Sequence, residues 1–302
     1  MLSEPRRADL GLVLVTALWG LSFPAIRTAM TGGATPLLFV GVRTGLAAAI
    51  LLPFVLGPLR GQLVGASAPR ALLRAAAPLG LLLGASFVTQ SLGMTTTSAA
   101  NSGFITGTTV VMVPFLDRIF RKTPLNPVAF AAAGLALVGV MLAAGVSPST
   151  ALEANVGDLW TLVSAAGYGV YMVRLQEPLS RFPHVPFFAA QLAVASVTAL
   201  ALAPFVEVPR LALVPAVLAP LCFCVLFASL AAGLLQFRYQ RRSTPVRAAL
   251  IFAVEPVFAA VFARALIGEA LPPNTLFGGM IIMAGVLLSE LGPLLRVRAG
   301  AT

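Results

Sequence analysis

A single carboxylate lies in the middle of a long apolar stretch of this sequence. Glu255 is about nine residues into the apolar run 246–266, which would put it at a depth of roughly 14 Å in a membrane-spanning helix. An ionised carboxylate at that depth costs about 2.5–3.5 kcal/mol unless it is paired or hydrated. Glu255 is therefore a candidate for carrying a proton or anchoring an amine. The alternative is a structural carboxylate that is protonated or hydrogen-bonded to a neighbouring helix.

Arg43 lies within another apolar run, 36–57, about seven residues from its start. At ~1.5 Å per residue it would lie roughly 10 Å from the membrane surface. A guanidinium at that depth can bind a carboxylate through two parallel hydrogen bonds. It can equally extend its charged end to the interface or bridge two helices. Both interpretations of Arg43 stay open.

Neutral polar side chains form a stripe along one apolar run of the first half. A helix places four of them on one face because they are spaced by 4, 4 and 3 residues, and a fifth lies beside them: Ser98, Ser102, Thr106 and Thr109, with Asn101. In lipid such side chains either line a polar cavity or bond to backbone carbonyls and let helices approach closely. The stripe makes Asn101, Ser102 and Thr106 candidate cavity residues.

Three aromatic residues and one amide complete the candidate set. Trp19 and Tyr168 lie about ten residues into their apolar runs, too deep for an interfacial aromatic belt. With Tyr171 they are candidates for stacking on a ligand or closing a cavity, and the alternative is packing in the protein interior. Gln90 is a candidate because a buried amide needs hydrogen-bond partners that a ligand can supply. Gln236 is predicted to be solvated near the inner end of its run.

The composition indicates what must position these residues. Of the 302 residues, 59% are hydrophobic and only 10% are charged, and the mean hydropathy is +0.96. A soluble domain carries about 25% charged residues, so a soluble enzyme, a nucleic-acid-binding protein and a disordered chain are disfavoured. The net charge of +10 does not indicate nucleic acid binding, because the basic residues are scattered between apolar runs. Cys222 and Cys224 share one apolar run, which supports neither a disulfide framework nor a zinc site.

Ten apolar runs are long enough to cross a bilayer core of ~30 Å, which takes about 20 residues of helix. Their approximate bounds are 9–29, 36–57, 74–94, 98–118, 126–146, 157–176, 186–206, 213–235, 246–266 and 274–294. The runs are apolar on all faces, as contact with lipid requires, and turn-forming residues separate them. We therefore predict an all-α integral membrane protein with ten transmembrane helices.

The basic residues predict how these helices are oriented. If the N-terminus is cytoplasmic, sixteen basic residues fall on the cytoplasmic side, three fall on the opposite side, and Arg43 lies within a span. This asymmetry follows the positive-inside rule. We expect a multi-pass protein of the inner (cell) membrane with both termini in the cytoplasm.

The first half of the sequence also resembles the second half. When the sequence is aligned with itself at a shift of 146 residues, nine positions between 90 and 142 are identical to the residues 146 positions later. At a shift of 149 residues, Trp19 aligns with Tyr168. The halves 1–148 and 149–302 then hold five spans each. Because five is odd, the second half begins on the opposite side of the membrane and has the inverted orientation. Inverted repeats are typical of secondary transporters, which bind substrate near the midplane between the halves. We predict two inverted five-helix repeats.

Several short motifs occur in an order that gives the chain a family resemblance over about residues 9–294. They are Trp19-Gly20 and Phe23-Pro24 in the first run, Arg43 in the second, Ala100-Asn101-Ser102-Gly103-Phe104-Ile105 with Pro114 in the fourth, and Glu255-Pro256-Val257-Phe258 with Gly268-Glu269 in and after the ninth. The chain resembles the drug/metabolite transporter superfamily in its EamA-type branch. Where that family often carries a Glu after helix 4, this chain reads Arg121-Lys122-Thr123-Pro124.

The resemblance implies export of small metabolites, often amino acids or related compounds, through a cavity lined by helices 1, 3, 4, 6, 8 and 9. It places helix 2 beside that cavity, which favours the structural interpretation of Arg43. No G-x-x-x-x-G-K-[ST] motif for ATP is present, so a proton or substrate gradient would drive transport. The alternatives are a passive channel or lipid flippase and, less favoured, an integral membrane enzyme, which would need a catalytic or metal-ligating motif that the sequence lacks.

We therefore predict a secondary transporter, not an enzyme, that works by alternating access and exports a small polar metabolite. Its expected partners are the lipid bilayer and a small-molecule substrate, a proton is the candidate coupling ion, and no cofactor, metal ion or nucleic acid is expected. The predicted substrate-binding residues are Trp19, Gln90, Asn101, Ser102, Thr106, Tyr168, Tyr171 and Glu255, of which Glu255 is also the candidate for proton coupling.

Overall fold

The computed structural model describes residues 4–62, 68–124, 127–143, 156–270, 273–274, 277–285 and 288. Within these ranges every regular element is helical, and the one sheet-like pairing is an isolated antiparallel bridge between Ala34 and Leu211. In chain order the helices are α1 (Glu4–Thr31), α2 (Pro36–Gln62), α3 (Ala68–Gly93), α4 (Ala99–Gly107), α5 (Thr109–Arg121), α6 (Pro127–Ala143), α7 (Val156–Leu175), α8 (Pro178–Arg181), α9 (His184–Val206), α10 (Pro215–Phe223), a π-helical segment (Cys224–Ala231), α11 (Ala232–Gln240), α12 (Pro245–Phe252), α13 (Glu255–Ile267) and α14 (277–285).

Seven helical stretches of the described chain are long enough and apolar enough to cross a membrane. They are Arg7–Thr31, Pro36–Val55, Pro69–Gly93, Ala99–Arg121, His184–Val206, Pro215–Gln240 and Pro245–Ile267. The predicted runs 126–146 and 157–176 are helical in their described parts, as α6 and α7, but are not among the seven. The run 274–294 is described only in part, and the predicted boundary at 148/149 lies outside the described residues. The count of ten spans stays a prediction.

The distribution of side chains is the reverse of that in a soluble protein. Large apolar side chains cover the outside, among them Phe205, which is 86% exposed. Polar side chains such as Thr44, Gln191 and Gln240 are completely buried. In water an apolar surface of this extent would drive association, whereas in a bilayer it faces lipid. The described part of the chain therefore has the exterior of a membrane protein.

The predicted fourth helix is interrupted near its middle. Thr108 separates α4 from α5, and the backbone there tightens: the N–H of Thr108 donates to the Ile105 oxygen at 3.1 Å, and that of Val111 donates to the Thr108 oxygen at 3.0 Å. These bonds reach back three residues instead of four, as in a 3₁₀ turn. The sequence predicted a continuous helix here, because no Gly-Pro pair or other strong breaker marks position 108.

The predicted ninth helix is interrupted in the same way, 146 residues later. The N–H of Val254 donates to the Ile251 oxygen at 3.2 Å, and that of Val257 donates to the Val254 oxygen at 3.0 Å. The break separates α12 from α13 directly before Glu255. Pro256 lies in the first turn of α13, where its missing N–H costs nothing. Both tight turns thus recur at the offset found in the sequence.

Small residues lie where the helices approach most closely. α3 packs against α9, and a Cβ atom on Gly80 would lie 2.7 Å from the backbone oxygen of Gln191. One turn further along, a Cβ on Gly84 would lie 3.0 Å from the Cα of Ala195. The spacing of four residues puts both glycines on the contacting face, as a small-xxx-small pattern predicts.

We expect Gly80→Ala to lower the free energy of unfolding by about 1–3 kcal/mol, because the added methyl group overpacks a backbone contact. Gly134→Ala in α6 is the matched control, since no atom lies within 4 Å of the Cβ it would add. Thermal and denaturant unfolding of both variants in the same detergent measures the difference. Equal stabilities would show that α3 and α9 separate without cost.

Candidate functional site

A narrow cavity of about 40 Å³ lies between α1, α2, α3, α4, α7 and α13. Its lining residues are Trp19, Ser22, Arg43, Ser86, Phe87, Gln90, Thr106, Ser164, Tyr168 and Glu255. A buried water molecule needs a cavity volume of about 10–15 Å³, so this cavity has room for roughly three water molecules. Pockets that hold small molecules run to about 300–1,000 Å³, so the helices must move apart before the cavity can accept a metabolite.

Five of the eight residues predicted to bind substrate line this cavity together: Trp19, Gln90, Thr106, Tyr168 and Glu255. Tyr171 lines a smaller adjoining pocket. The remaining two lie elsewhere: Asn101 is exposed, and Ser102 is completely buried with its hydroxyl 3.4 Å from that of Thr161. The predicted polar stripe therefore splits, because only Thr106 on it faces the cavity.

Sequence reasoning missed three serines of the lining and left the role of Arg43 open between binding a carboxylate, reaching the interface and bridging two helices. Ser22, Ser86 and Ser164 are single hydroxyls within apolar helices, and no spacing distinguishes them from serines that merely bond to backbone; the Ser164 hydroxyl donates to the Ser86 backbone oxygen at 2.7 Å. The resemblance placed helix 2 beside the cavity, whereas α2 contributes Arg43 to its wall.

Glu255 presents a carboxylate to the cavity. It is 8% exposed and begins α13, where the positive end of the helix dipole favours a negative charge. Within the described chain no hydrogen bond or ion pair holds this carboxylate. The alternative of a carboxylate bonded to a neighbouring helix therefore finds no partner there. A proton or a cationic group is what such a site would take up.

Arg43 presents a guanidinium to the same cavity. Only 3% of the residue is exposed, its Nε donates to the Ser229 hydroxyl at 2.7 Å, and its guanidinium carbon lies 4.6 Å from the centre of the Phe87 ring. Ser229 belongs to the π-helical segment, an irregularity that is frequent at functional sites. The serine and the ring fix the plane of the guanidinium.

An aromatic cluster closes one end of the cavity. The rings of Trp19 and Tyr168 meet edge to face with centroids 5.6 Å apart, and Phe252 lies 5.0 Å from Trp19. The indole N–H of Trp19 donates to the backbone oxygen of Ala228 in the π-helical segment at 3.0 Å. The two residues that pair at the sequence offset of 149 thus touch each other at the centre of the protein.

On the side of these rings away from the cavity, two glutamine side chains connect helices through hydrogen bonds. The Gln236 amide donates to the Tyr168 hydroxyl at 2.8 Å and to the Gln240 oxygen at 2.8 Å, and the Gln240 amide donates to the Met172 backbone oxygen at 3.0 Å. Gln236 is only 3% exposed, so the prediction that it is solvated was wrong. Its place in the sequence suggested the membrane surface, but α11 packs against α1 and α9, and Gln236 bonds to Tyr168 of α7.

The Tyr171 hydroxyl adds a second buried contact on this side of the rings, since it donates to the Gln191 oxygen at 2.9 Å. Tyr171 also lies beside Tyr168, with centroids 5.5 Å apart. The Gln191 oxygen is thus bonded, whereas its amide nitrogen is buried without a hydrogen-bond partner in the described chain. The barrier on this side of the cavity is therefore both aromatic and hydrogen-bonded.

Carboxylates hold helix ends together on the other side of the cavity. The Glu207 carboxylate accepts hydrogen bonds from the backbone N–H groups of Leu37 and Leu38, at 3.1 and 2.9 Å, at the start of α2. The Glu269 carboxylate faces those of Ala99 and Ala100, each at 3.4 Å, at the start of α4. Each carboxylate satisfies free N–H groups at a helix N-terminus. Each of them links segments more than 160 residues apart.

Comparisons with known proteins agree with this architecture. The model of the EamA-like transporter family matches residues 6–145 and again residues 155–291. An uncharacterized transporter of Archaeoglobus fulgidus is 30% identical over 290 residues, which cover 94% of this chain and 86% of that protein. A protein solved by crystallography has the same fold with a TM-score of 0.70 over 95% of this chain and 97% of its own, at 17% identity.

Proposed function

The chain belongs to the EamA-like transporter family of multi-pass membrane proteins, and on that premise we propose a secondary transporter that exports a small polar metabolite, such as an amino acid or a related compound, by alternating access. The observation that carries the proposal is that Arg43 and Glu255, neither of which has an ion-pair partner within the described chain, both line one central cavity. Buried charges without partners are costly, so they are retained where a ligand or a proton supplies the partner.

The position of the aromatic cluster supports alternating access. The cavity reaches Gln90 near the end of α3, on the side where Glu269 holds the start of α4. Trp19 and Tyr168 separate it from the hydrogen-bonded Gln236 and Gln240 on the opposite side. A closed barrier on one side and a cavity on the other is the arrangement that a carrier inverts during transport, whereas a channel needs a continuous path.

Contacts between the connecting segments support the proposed topology of ten spans, two inverted halves and cytoplasmic termini. Five such contacts within the described ranges each join segments that the charge pattern assigns to the same side of the membrane. On the outer side the bonded pairs are Thr35–Arg210, Thr97–Asp158 and Leu142–Asn274, and on the cytoplasmic side they are Asp9–Arg247 and Gln176–Ser243. The helix breaks that recur after 146 residues support the repeat. The membrane we propose is the inner (cell) membrane.

Glu255 offers a way to couple export to a proton gradient. A carboxylate binds either a proton or the ammonium group of a substrate, so the two compete for one site. Protons arriving from outside would release the substrate there, and the protonated carrier would return to deliver the proton inside. Glu255 is thus both the proposed substrate anchor and the proposed proton carrier.

Counterflow in proteoliposomes tests the proposed function. Vesicles that are preloaded with an unlabelled amino acid and then given a trace of the labelled compound should accumulate label transiently above equilibrium, because a carrier exchanges its cargo across the membrane. We expect this for at least one compound in a panel of amino acids and their amines, with saturation and mutual competition. Linear flux without counterflow would identify a channel instead. Protein-free vesicles provide the background.

A further inference from the structure

Arg43 presents an unused edge of its guanidinium to the cavity. Its Nε is held by the Ser229 hydroxyl and one face of the group is covered by the Phe87 ring. Within the described chain no hydrogen bond or ion pair involves the two terminal nitrogens, and neither is sealed from the cavity. An arginine is charged at any physiological pH, and its two terminal N–H groups match the two oxygens of a carboxylate.

The opposite charge lies across the same cavity on another helix. Glu255 starts α13, Arg43 lies in α2, and the two do not come within the 4.0 Å of an ion pair. Within the described chain, neither residue therefore has an ion-pair partner of its own. A cationic ligand would satisfy Glu255 and leave Arg43 unpaired, and an anionic ligand would do the reverse. A ligand that carries both charges satisfies both residues.

We infer that Arg43 is the anion subsite of the transport site and that the transported compounds are small zwitterions. The carboxylate of the substrate binds the free edge of Arg43, and its ammonium group binds Glu255. This inference rests on the proposed function and adds to it the residue that selects the substrate class. Ser229 acts as a positioning residue, because it orients the guanidinium without reaching the ligand.

Matched triplets of small molecules test the assignment. Each triplet consists of an amino acid, the amine that lacks its carboxylate, and the acid that lacks its ammonium group; glycine, methylamine and acetate form the smallest. Binding to the purified full-length protein is read from thermal stabilisation in detergent over a range of concentrations. We expect at least one amino acid to bind about 10- to 100-fold more tightly than its amine and its acid, the range for hydrogen bonds to charged groups.

Variants then separate the two subsites. In Arg43→Gln the preference for the amino acid over its amine should fall to within about threefold, because the lost carboxylate no longer has a partner. The preference over the acid should persist, since it depends on Glu255. Arg27→Gln is the matched control: Arg27 donates to the Met94 backbone oxygen at 2.6 Å and does not line the cavity, so it should keep both preferences.

Several results would overturn the inference. The first is that amines bind the wild-type protein as tightly as their amino acids, a comparison that stands even if Arg43→Gln does not fold. The second is that a folded Arg43→Gln keeps the wild-type preference for the amino acid over its amine. Both outcomes would leave export of a cationic metabolite intact. Absence of counterflow for every member of all triplets would instead overturn the proposed function itself.

Discussion

Replacing Glu255 with Gln is expected to abolish proton-driven transport. The amide has nearly the same shape as the carboxylate but neither carries a proton nor neutralises an ammonium group. Truncating one partner of a buried charge pair costs about 2–5 kcal/mol, so the rate should fall by roughly 30-fold or more. Flux into proteoliposomes under an imposed pH gradient measures the loss, and the residual flux should not respond to the gradient.

Glu269→Gln is the matched control for the loss of a carboxylate. Glu269 lies at the start of α4 and outside the cavity lining, so its replacement should weaken a helix cap by about 0.5–2 kcal/mol and leave proton coupling in place. Folding of Glu255→Gln is checked by its unfolding temperature, which should stay close to that of wild type because no protein hydrogen bond to Glu255 is lost within the described chain. Wild-type flux with wild-type pH dependence in Glu255→Gln would remove this residue from the mechanism.

Trp19→Ala is expected to destroy the barrier that separates the cavity from the opposite side of the membrane. The indole packs against Tyr168 and Phe252 and bonds to Ala228, so its removal joins the cavity to the pocket around Gln236. A carrier without one barrier leaks, and accumulation of substrate against its gradient should disappear. Removal of a buried tryptophan should also cost about 3–5 kcal/mol of stability.

Trp19→Phe separates the barrier from the hydrogen bond. A phenyl ring keeps most of the contact with Tyr168 but cannot donate to the Ala228 oxygen, so gradient-driven accumulation should survive with a loss of about 1 kcal/mol in stability. The accumulation ratio in proteoliposomes and the passive leak of a small polar tracer measure the two effects. If folded Trp19→Ala accumulates substrate like wild type, the aromatic cluster is not the barrier.

The hydrophobic pattern was sufficient to predict an all-α membrane protein. Contact with lipid demands that nearly every side chain over about 20 residues be apolar, and that demand is local, so the sequence carries it directly. Seven of the predicted runs appear as long apolar helices of the described chain. The motifs were likewise sufficient for the family, since each is a short stretch in a fixed order.

The cavity was only partly predictable. Glu255, Gln90 and Thr106 stood out because polar groups in apolar helices are rare and demand an explanation. Ser102 stood out for the same reason but faces Thr161 instead. A helix that is apolar on all sides has no stripe from which its rotation could be read, so the sequence does not tell which polar residue turns inward.

The sequence by itself determined the membrane class, the family and the repeat offset, because lipid solvation and short motifs act through neighbouring residues. Only the tertiary structure decided that α2 turns Arg43 into the cavity, that Gln236 is buried and bonded to Tyr168, and that two helices break at Thr108 and Val254. These features depend on how helices pack against partners more than a hundred residues away. Interhelical packing sets the rotation of each helix and the place where its backbone yields, and neither is encoded in a local pattern.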